Sequence, residues 1–260
     1  MTDRREFRIE VPVLARVEGE GGLDLRVRDG RIAELRFRIY EPPRLFEQFL
    51  AGRHHTEVPD LVARICGICP VAYQMSAVTA LERLFGTDPG PWVRQMRRLF
   101  YCGEWLQSHA LHIHLLAAPD FLGFENVLAM AAQYPEEARR GLRLQALGNR
   151  MIRLFGARSV HPVGVRVGGF WKAPDPVAVA ELRGHVEKAI PEGEVLLAWT
   201  ASLPTPTEEQ AFTCVSLRDP DQYPMIADRI VSEAGLDIGV DDFEQAFHEE
   251  QVPHSTALHA

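Results

Sequence analysis

Leu23, Leu25 and Val27 alternate with Asp24, Arg26 and Arg28, and Leu35, Phe37 and Ile39 alternate with Arg36 and Arg38. A period of two puts one set of side chains on a buried face and the other in water, so both runs predict half-buried strands. Asp29-Gly30 between them tolerates positive φ and predicts a tight hairpin turn. Val11-Pro12-Val13-Leu14-Ala15 predicts a further strand, with Pro12 at an edge or strand start because it has no N–H for a ladder. Residues 1–42 therefore read as a small antiparallel sheet.

After Pro42-Pro43 the period lengthens. Leu45, Phe46, Phe49 and Leu50 fall on one helical stripe, and Gly52 follows as a stop. A short helix is predicted over 59–65 and a longer one from about Pro70 to Phe85. Trp92, Met96, Leu99, Leu106, Leu111 and Leu115 predict one long helix or two abutting ones over 91–117. Further helices are predicted over 136–155, 176–203 and 222–235, with a strand at 211–217. Gly164 to Phe170 predicts a loop or bent strand. The expected class is α+β, mainly α: one domain over 1–260, with a β-rich unit at 1–42 and a helical body at 43–260.

Composition narrows the function classes. Lys and Arg number 28 against 36 Asp and Glu, a formal charge of −8. That balance argues against nucleic acid or an anionic membrane surface, since both select basic faces. No apolar run approaches the roughly 20 residues that span a bilayer. Met1 to Glu6 lack the apolar stretch of a secretory signal, so a cytoplasmic protein is expected. Four cysteines are too few for a disulfide scaffold in a chain of this length.

The sharpest chemical feature is Arg64-Ile65-Cys66-Gly67-Ile68-Cys69-Pro70. Two thiols three residues apart at a helix start point to the same side and can grip one metal. The partial positive charge of the helix N-terminus, with Arg64, favours thiolate over thiol. Gly67 lets the backbone turn tightly between the sulfurs, and Pro70 suits the first helical position. A structural zinc site needs two more ligands at suitable spacing, and Cys102 and Cys214 each stand alone. A thioredoxin-like dithiol needs a βαβ context, whereas this neighbourhood is helical. Two buried structural cysteines would give no reason for the Gly and Pro placement.

The Arg64–Cys69 motif, with Glu47 in Phe46-Glu47-Gln48-Phe49-Leu50-Ala51-Gly52-Arg53 before it, resembles the first metal-binding motif of nickel–iron hydrogenase large subunits. Arg16-Val17-Glu18-Gly19 is similar to that family's early Arg-hydrophobic-Glu-Gly element. Further similar segments are Glu104 to Gly123, His161-Pro162 with Gly168-Gly169-Phe170, and Pro253-His254-Ser255 with Ala257-Leu258-His259. The likeness extends over essentially the whole chain and is greatest to the α subunits of cytoplasmic, NAD(P)-linked hydrogenases and sulfhydrogenases.

The resemblance implies a soluble hydrogenase that interconverts H2 with protons and electrons at a nickel–iron centre, NiFe(CN)2CO. It implies that Cys66 is a terminal nickel ligand, that Cys69 bridges nickel and iron, that Glu18 passes protons to and from a nickel-bound thiolate, and that Glu47 binds a structural magnesium. Soft thiolates suit nickel and iron, and hard oxygen ligands suit magnesium. The implied partners are a small subunit carrying iron–sulfur clusters, diaphorase-like subunits and maturation factors. The family's second C-x-x-C motif has no counterpart here, so a chain cut short before that motif, and inactive alone, is expected. Two other readings are a metal-free scaffold subunit like the related one of respiratory complex I, and a C-x-x-C thiol redox protein.

Several residues carry a milder expectation. Tyr73 stands where many relatives have His, and a phenol can donate a hydrogen bond there but holds no charge-bearing proton at neutral pH. His109 and His112, at i and i+3, read with Asp120 as hydrogen-bonded core residues supporting the cluster helix. The arginines from Arg139 to Arg153 read as a solvated helix face.

Overall fold

The computed structural model describes residues 6–41 and 44–259. The chain divides into two compact units, Phe46–Gln210 and a second formed by Met1–Leu45 with Ala211–Ala260. In the latter, strands β1 (Glu6–Val11), β2 (Gly21–Arg28) and β3 (Arg31–Ile39) form an antiparallel sheet in that order. Phe7 lies opposite Val27, and Leu23 opposite Phe37, so the apolar residues share one face as their alternation requires. On the other face Asp24 accepts hydrogen bonds from Arg38 at 2.7 Å and Arg8 at 3.2 Å. Asp29 at φ 51° and Gly30 at φ 75° make the expected hairpin turn. The strand expected over Val11–Ala15 lies earlier, because Pro12 ends the ladder instead of starting it. Pro12 to Glu20 forms a loop closed by the Leu14 N–H on the Gly21 carbonyl at 2.8 Å. The expected unit boundary at Pro42-Pro43 lies outside the described residues.

The helical unit runs α1 (Phe46–Leu50), α2 (Val58–Val62), α3 (Pro70–Phe85) and α4 (Gly90–Leu111). Helix α3 begins on Pro70 and ends on Gly86 at φ 61°, the asymmetry that Pro and Gly impose on helix ends. Helix α4 continues through a π-helical stretch, His112–Ala117, into α5 (Ala118–Phe121), so the segment expected as one helix or two is one rod with a change of pitch. Then come α6 (Val127–Gln133), α7 (Pro135–Gly156), the two-residue strands β4 (Val165–Arg166) and β5 (Gly169–Phe170), and α8 (Pro176–Ala201). Helix α6 was not expected; its signal is Asn126, whose side chain accepts the Leu128 and Ala129 N–H groups at 3.0 Å each. Among the described residues no helix is long and apolar enough to cross a membrane.

Helices α4 and α7 approach through glycine. A Cβ on Gly148 would lie 2.5 Å from the Gln107 nitrogen and 2.6 Å from the Gly103 carbonyl oxygen. A Cβ on Gly103 would lie 2.8 Å from that of Met151. Around this contact Phe100, Val71, Met75, Val78 and Ile152 are fully buried. Phe155, tilted, and Phe170, edge-on, pack about Phe100 with centroids 6.0 and 6.2 Å away.

Two buried carboxylates tie α3 to its neighbours. Glu82 receives both Arg97 terminal nitrogens, at 2.6 and 2.8 Å, and the Gly168 N–H at 2.7 Å. Glu104 of α4 has no such cation among its bonds; it accepts the Val71 N–H at 2.6 Å and the Ala72 N–H at 3.2 Å. Burial pushes the Glu104 carboxyl up to about 7, and the two N–H bonds only partly oppose it.

The chain then returns to the first unit. Strands β6 (Val215–Arg218), β7 (Arg229–Ser232) and β8 (Asp237–Gly239) form a second antiparallel sheet. The helix expected over 222–235 is therefore absent. The β-branched pair Ile230-Val231 suits the central strand, where each pairs on both sides and Ile230 is buried. The strand expected at 211–217 is found as β6.

Gly148→Ala should lower stability by about 1–3 kcal/mol, because the methyl meets backbone that cannot move aside without parting α4 from α7; thermal unfolding read by circular dichroism measures it. Glu104 should make stability fall as pH rises. Its folded value lies above the ordinary 4.5, so between 4.5 and about 7 the folded chain holds a proton that the unfolded chain has released. The contribution is complete below 4.5 and lost as pH passes 7. Glu104→Gln, which cannot titrate, should flatten that slope in urea unfolding followed from pH 4.5 to 8.

Candidate metal centre

The C-x-x-C segment is the turn between α2 and α3. Backbone bonds from Arg64 to Leu61 and from Ile65 to Val62, both 3.0 Å, let α2 unwind into it. Cys69 then occupies the N-cap of α3 at φ −115°, ψ 34°, and makes no side-chain cap. The Cys66 sulfur accepts the Cys69 N–H at 3.0 Å and the Ile68 N–H at 3.4 Å. The two cysteines turn to the same side with Cα atoms 5.4 Å apart, and their sulfurs are joined as a disulfide. Reduced, that arrangement offers two sulfurs to one ion, with backbone donors and the positive end of α3 favouring the thiolate form. Gly67 differs from expectation. Its φ is not in the left-handed region, and an added Cβ would meet only Val160, at 4.0 Å. The turn closes without needing glycine's conformational freedom.

Polar side chains from three directions hold this turn. Gln107, one helical turn beyond Glu104 on α4, donates to the Ile68 carbonyl at 2.6 Å. Gln74, fully buried, donates to the Pro162 carbonyl at 2.7 Å and the Pro59 carbonyl at 3.3 Å. His161 Nδ1 meets the Ala63 carbonyl at 2.6 Å. His161 itself has φ 48°, and its ring reaches a residue 98 positions earlier. The His161-Pro162 pair noted in the sequence thus clamps the end of α2 entering the turn, while Glu104 clamps the helix leaving it. Neither Glu104 nor Gln107 was singled out in the sequence, although both sit on the buried face of α4 with Val93, Phe100 and Ala110, a position where a polar residue needs a partner.

The other expected site residues are placed as follows. Glu18 is exposed on the Pro12–Glu20 loop of the sheet-bearing unit. Glu47 is exposed in the first turn of α1. Tyr73 is half-exposed on α3. His109 and His112 are exposed, against the expectation of core histidines, and His109 bonds only back to the Trp105 carbonyl, at 2.8 Å. The buried one is His114, on the same face as the buried Gln107 and Ala110; its Nδ1 meets the Ala110 carbonyl at 3.0 Å and its ring stacks on Trp199. Burial holds the His114 imidazole below its ordinary value, so it stays neutral. The expected solvated arginine face of α7 has an exception in Arg140, which is buried and bonds His114 at 3.5 Å. Cys102 is half-buried on α4, its thiol pushed up by burial, and Cys214 is exposed in the other unit.

Residues 44–141 match the nickel-dependent hydrogenase family. The chain is 36% identical to the α subunit of sulfhydrogenase 2 of Pyrococcus furiosus over 70% of its own length and 44% of that protein. It is 30% identical to the α subunit of sulfhydrogenase 1 of the same organism, over 97% of the chain and 59% of the relative. Its fold superposes on an NAD+-reducing NiFe-hydrogenase in the H2-reduced state with a TM-score of 0.78 at 32% identity, covering 96% of this chain and 60% of that one. On the NiFeSe-hydrogenase of Desulfomicrobium baculatum the TM-score is 0.60 at 27% identity, covering 75% and 45%. The chain thus spans about half the length of the relatives it matches. By sequence and by fold, the chain belongs to the nickel-dependent hydrogenase large-subunit family.

Proposed function

We propose that this chain supplies part of the catalytic centre of a nickel–iron hydrogenase, interconverting H2 with protons and electrons. The observation that carries the reading is the pair Cys66 and Cys69 at the start of α3, turned to one side, with two backbone N–H groups directed at the Cys66 sulfur. The donor set fits the metals: thiolates are soft ligands for nickel and iron, and the helix N-terminus favours their deprotonated form. When bound, the nickel–iron centre supplies the polarisation of H2 and the uptake of its electrons.

The chain's own residues do the rest. Cys66 and Cys69, once reduced, hold the metal pair as thiolates. The Glu18 carboxylate, on an exposed loop, accepts the proton and hands it to water. Glu47 offers a carboxylate oxygen to a structural magnesium, a cation that retains water and accepts few protein ligands. With four cysteines in the chain, two of them in the pair, no set remains for an iron–sulfur cluster. Electrons therefore leave through a partner small subunit that carries such clusters, with diaphorase-like subunits beyond it. Maturation factors load the metal, and the assembly works in the cytoplasm.

Two measurements test the reading. Glu18→Gln in the metal-loaded assembly should slow H2 turnover and H/D exchange by roughly 100-fold, the scale of a lost general acid–base group, with nickel and iron content unchanged; exchange at the wild-type rate would return Glu18 to a solvated loop carboxylate. Because the chain holds one C-x-x-C pair, these 260 residues expressed with maturation factors should bind little nickel and iron and oxidise no H2. Co-expression with a polypeptide carrying a second such pair should restore both. H2 oxidation by the 260 residues alone would refute the requirement for further thiolate ligands.

A further inference from the structure

The N-terminus of α3 presents a complete set of donors and acceptors. A helix start leaves its first N–H groups without helical partners, and the N-cap side chain ordinarily serves one of them. Here the N-cap is Cys69, which makes no cap. The Cys69 and Ile68 N–H groups go to the Cys66 sulfur. Pro70 has no N–H. The next two, from Val71 and Ala72, go to the two oxygens of Glu104, 33 and 32 residues along the chain. Every donor from Ile68 to Ala72 is thereby assigned, two to sulfur and two to carboxylate. One turn further on, Gln107 of the same helix fixes the Ile68 carbonyl at 2.6 Å. Glu104 and Gln107 lie 3% and 7% exposed, so neither is a surface residue in casual contact.

From this division of donors we infer that Glu104, with Gln107, is a positioning residue for the cysteine pair: it caps α3 from outside so that Cys69 stands at the N-cap without capping and its sulfur, once the disulfide is reduced, can turn to a metal. The inference rests on the reading of Cys66 and Cys69 as metal ligands. An ordinary Ser, Thr, Asn or Asp N-cap bonds its own helix and turns its side-chain oxygen inward over the first turn. A ligand at the same position must turn outward. The two demands conflict on one side chain, and a carboxylate from the neighbouring helix removes the conflict. Without Glu104 the Val71 and Ala72 N–H groups lose the acceptor that holds them, one of them buried and the other partly so. Leaving such donors unmade is costly, so the helix start should rearrange and spoil the geometry the two sulfurs share.

The test uses the reduced 260-residue chain and cobalt(II) as the probe, followed by the sulfur-to-cobalt charge-transfer band. The wild-type chain should give a saturable band that Cys66→Ser and Cys69→Ser each abolish. Glu104→Ala should weaken cobalt binding at least tenfold and shift the band. Glu104→Gln, which keeps the length and one acceptor oxygen, should recover part of the affinity; should the alanine variant fail to fold, the glutamine variant and Gln107→Met carry the comparison. A purely structural role would lower the melting temperature of the variants while leaving the affinity and band of the folded fraction at wild-type values, and that outcome overturns the inference. A wild-type chain with no cysteine-dependent band overturns the ligand reading and the inference together. A wild-type band with unaltered variants overturns the inference alone.

Discussion

The close approach of α4 to α7 is the constraint on which the candidate centre depends. With Gly103 and Gly148 facing each other, two backbones meet where any side chain would hold them apart. The contact falls on Gly103 to Gln107, the same stretch of α4 that carries Glu104 and Gln107 to the C-x-x-C turn. A side chain needs both a fixed backbone and a locked rotamer to position a group to within a fraction of an ångström. The glycine contact supplies the first, and the two hydrogen bonds of Glu104 supply the second. Packing far from the sulfurs is in this way converted into their orientation.

The two buried carboxylates of the helical unit show how differently one charge can be treated. Glu82 meets a guanidinium in two parallel bonds, the arrangement best able to offset desolvation. Glu104 meets two N–H groups at the end of α3, where the aligned peptide dipoles amount to roughly half a positive charge. Half a charge and two bonds do not fully offset burial, so its carboxyl is pushed up to about 7. The cap on α3 is therefore of intermediate strength. It is strong enough to order the turn, yet its oxygens are held by backbone donors that no side-chain motion can withdraw.

Local rules made much of the fold legible. Helix α3 is bracketed by Pro70 and Gly86, and the β2–β3 hairpin by alternation and Asp29-Gly30, because each signal acts within a few residues. Where spacing alone was ambiguous, tertiary pairing decided: Ile230-Val231 takes the centre of a sheet and not a helix over 222–235, while Asn126 is the local signal for α6. The candidate centre was legible in part. Cys66 and Cys69 declare themselves by spacing and by Pro70, whereas Glu104, Gln107, Gln74 and His161 act across 15 to 98 positions of chain. Contacts so distant in sequence leave only an indirect trace, a polar residue on an apolar stripe. His114 carries a signal that was there to read: it lies four and seven residues beyond the buried Ala110 and Gln107, on the inner face of the rod, whereas His109 and His112 fall off that face.

The direction of the support for the cysteine pair follows from the chemistry it must present. A ligand thiolate needs lone pairs facing outward, and backbone donors are the safest means of stabilising its charge, since an N–H at a helix start cannot itself coordinate a metal or rotate away. A lysine or arginine in the same role would bring a mobile cation that competes with the metal for the sulfur. The sequence accordingly gives the Cys66 sulfur two N–H groups and leaves Arg64 exposed on the approach to the turn. With the remaining donors taken by Glu104, the helix start has no unfilled N–H left to draw the sulfurs inward. The support comes from α4 and from His161 and not from the turn itself, whose residues from Cys66 to Pro70 offer no side-chain oxygen or nitrogen to do it.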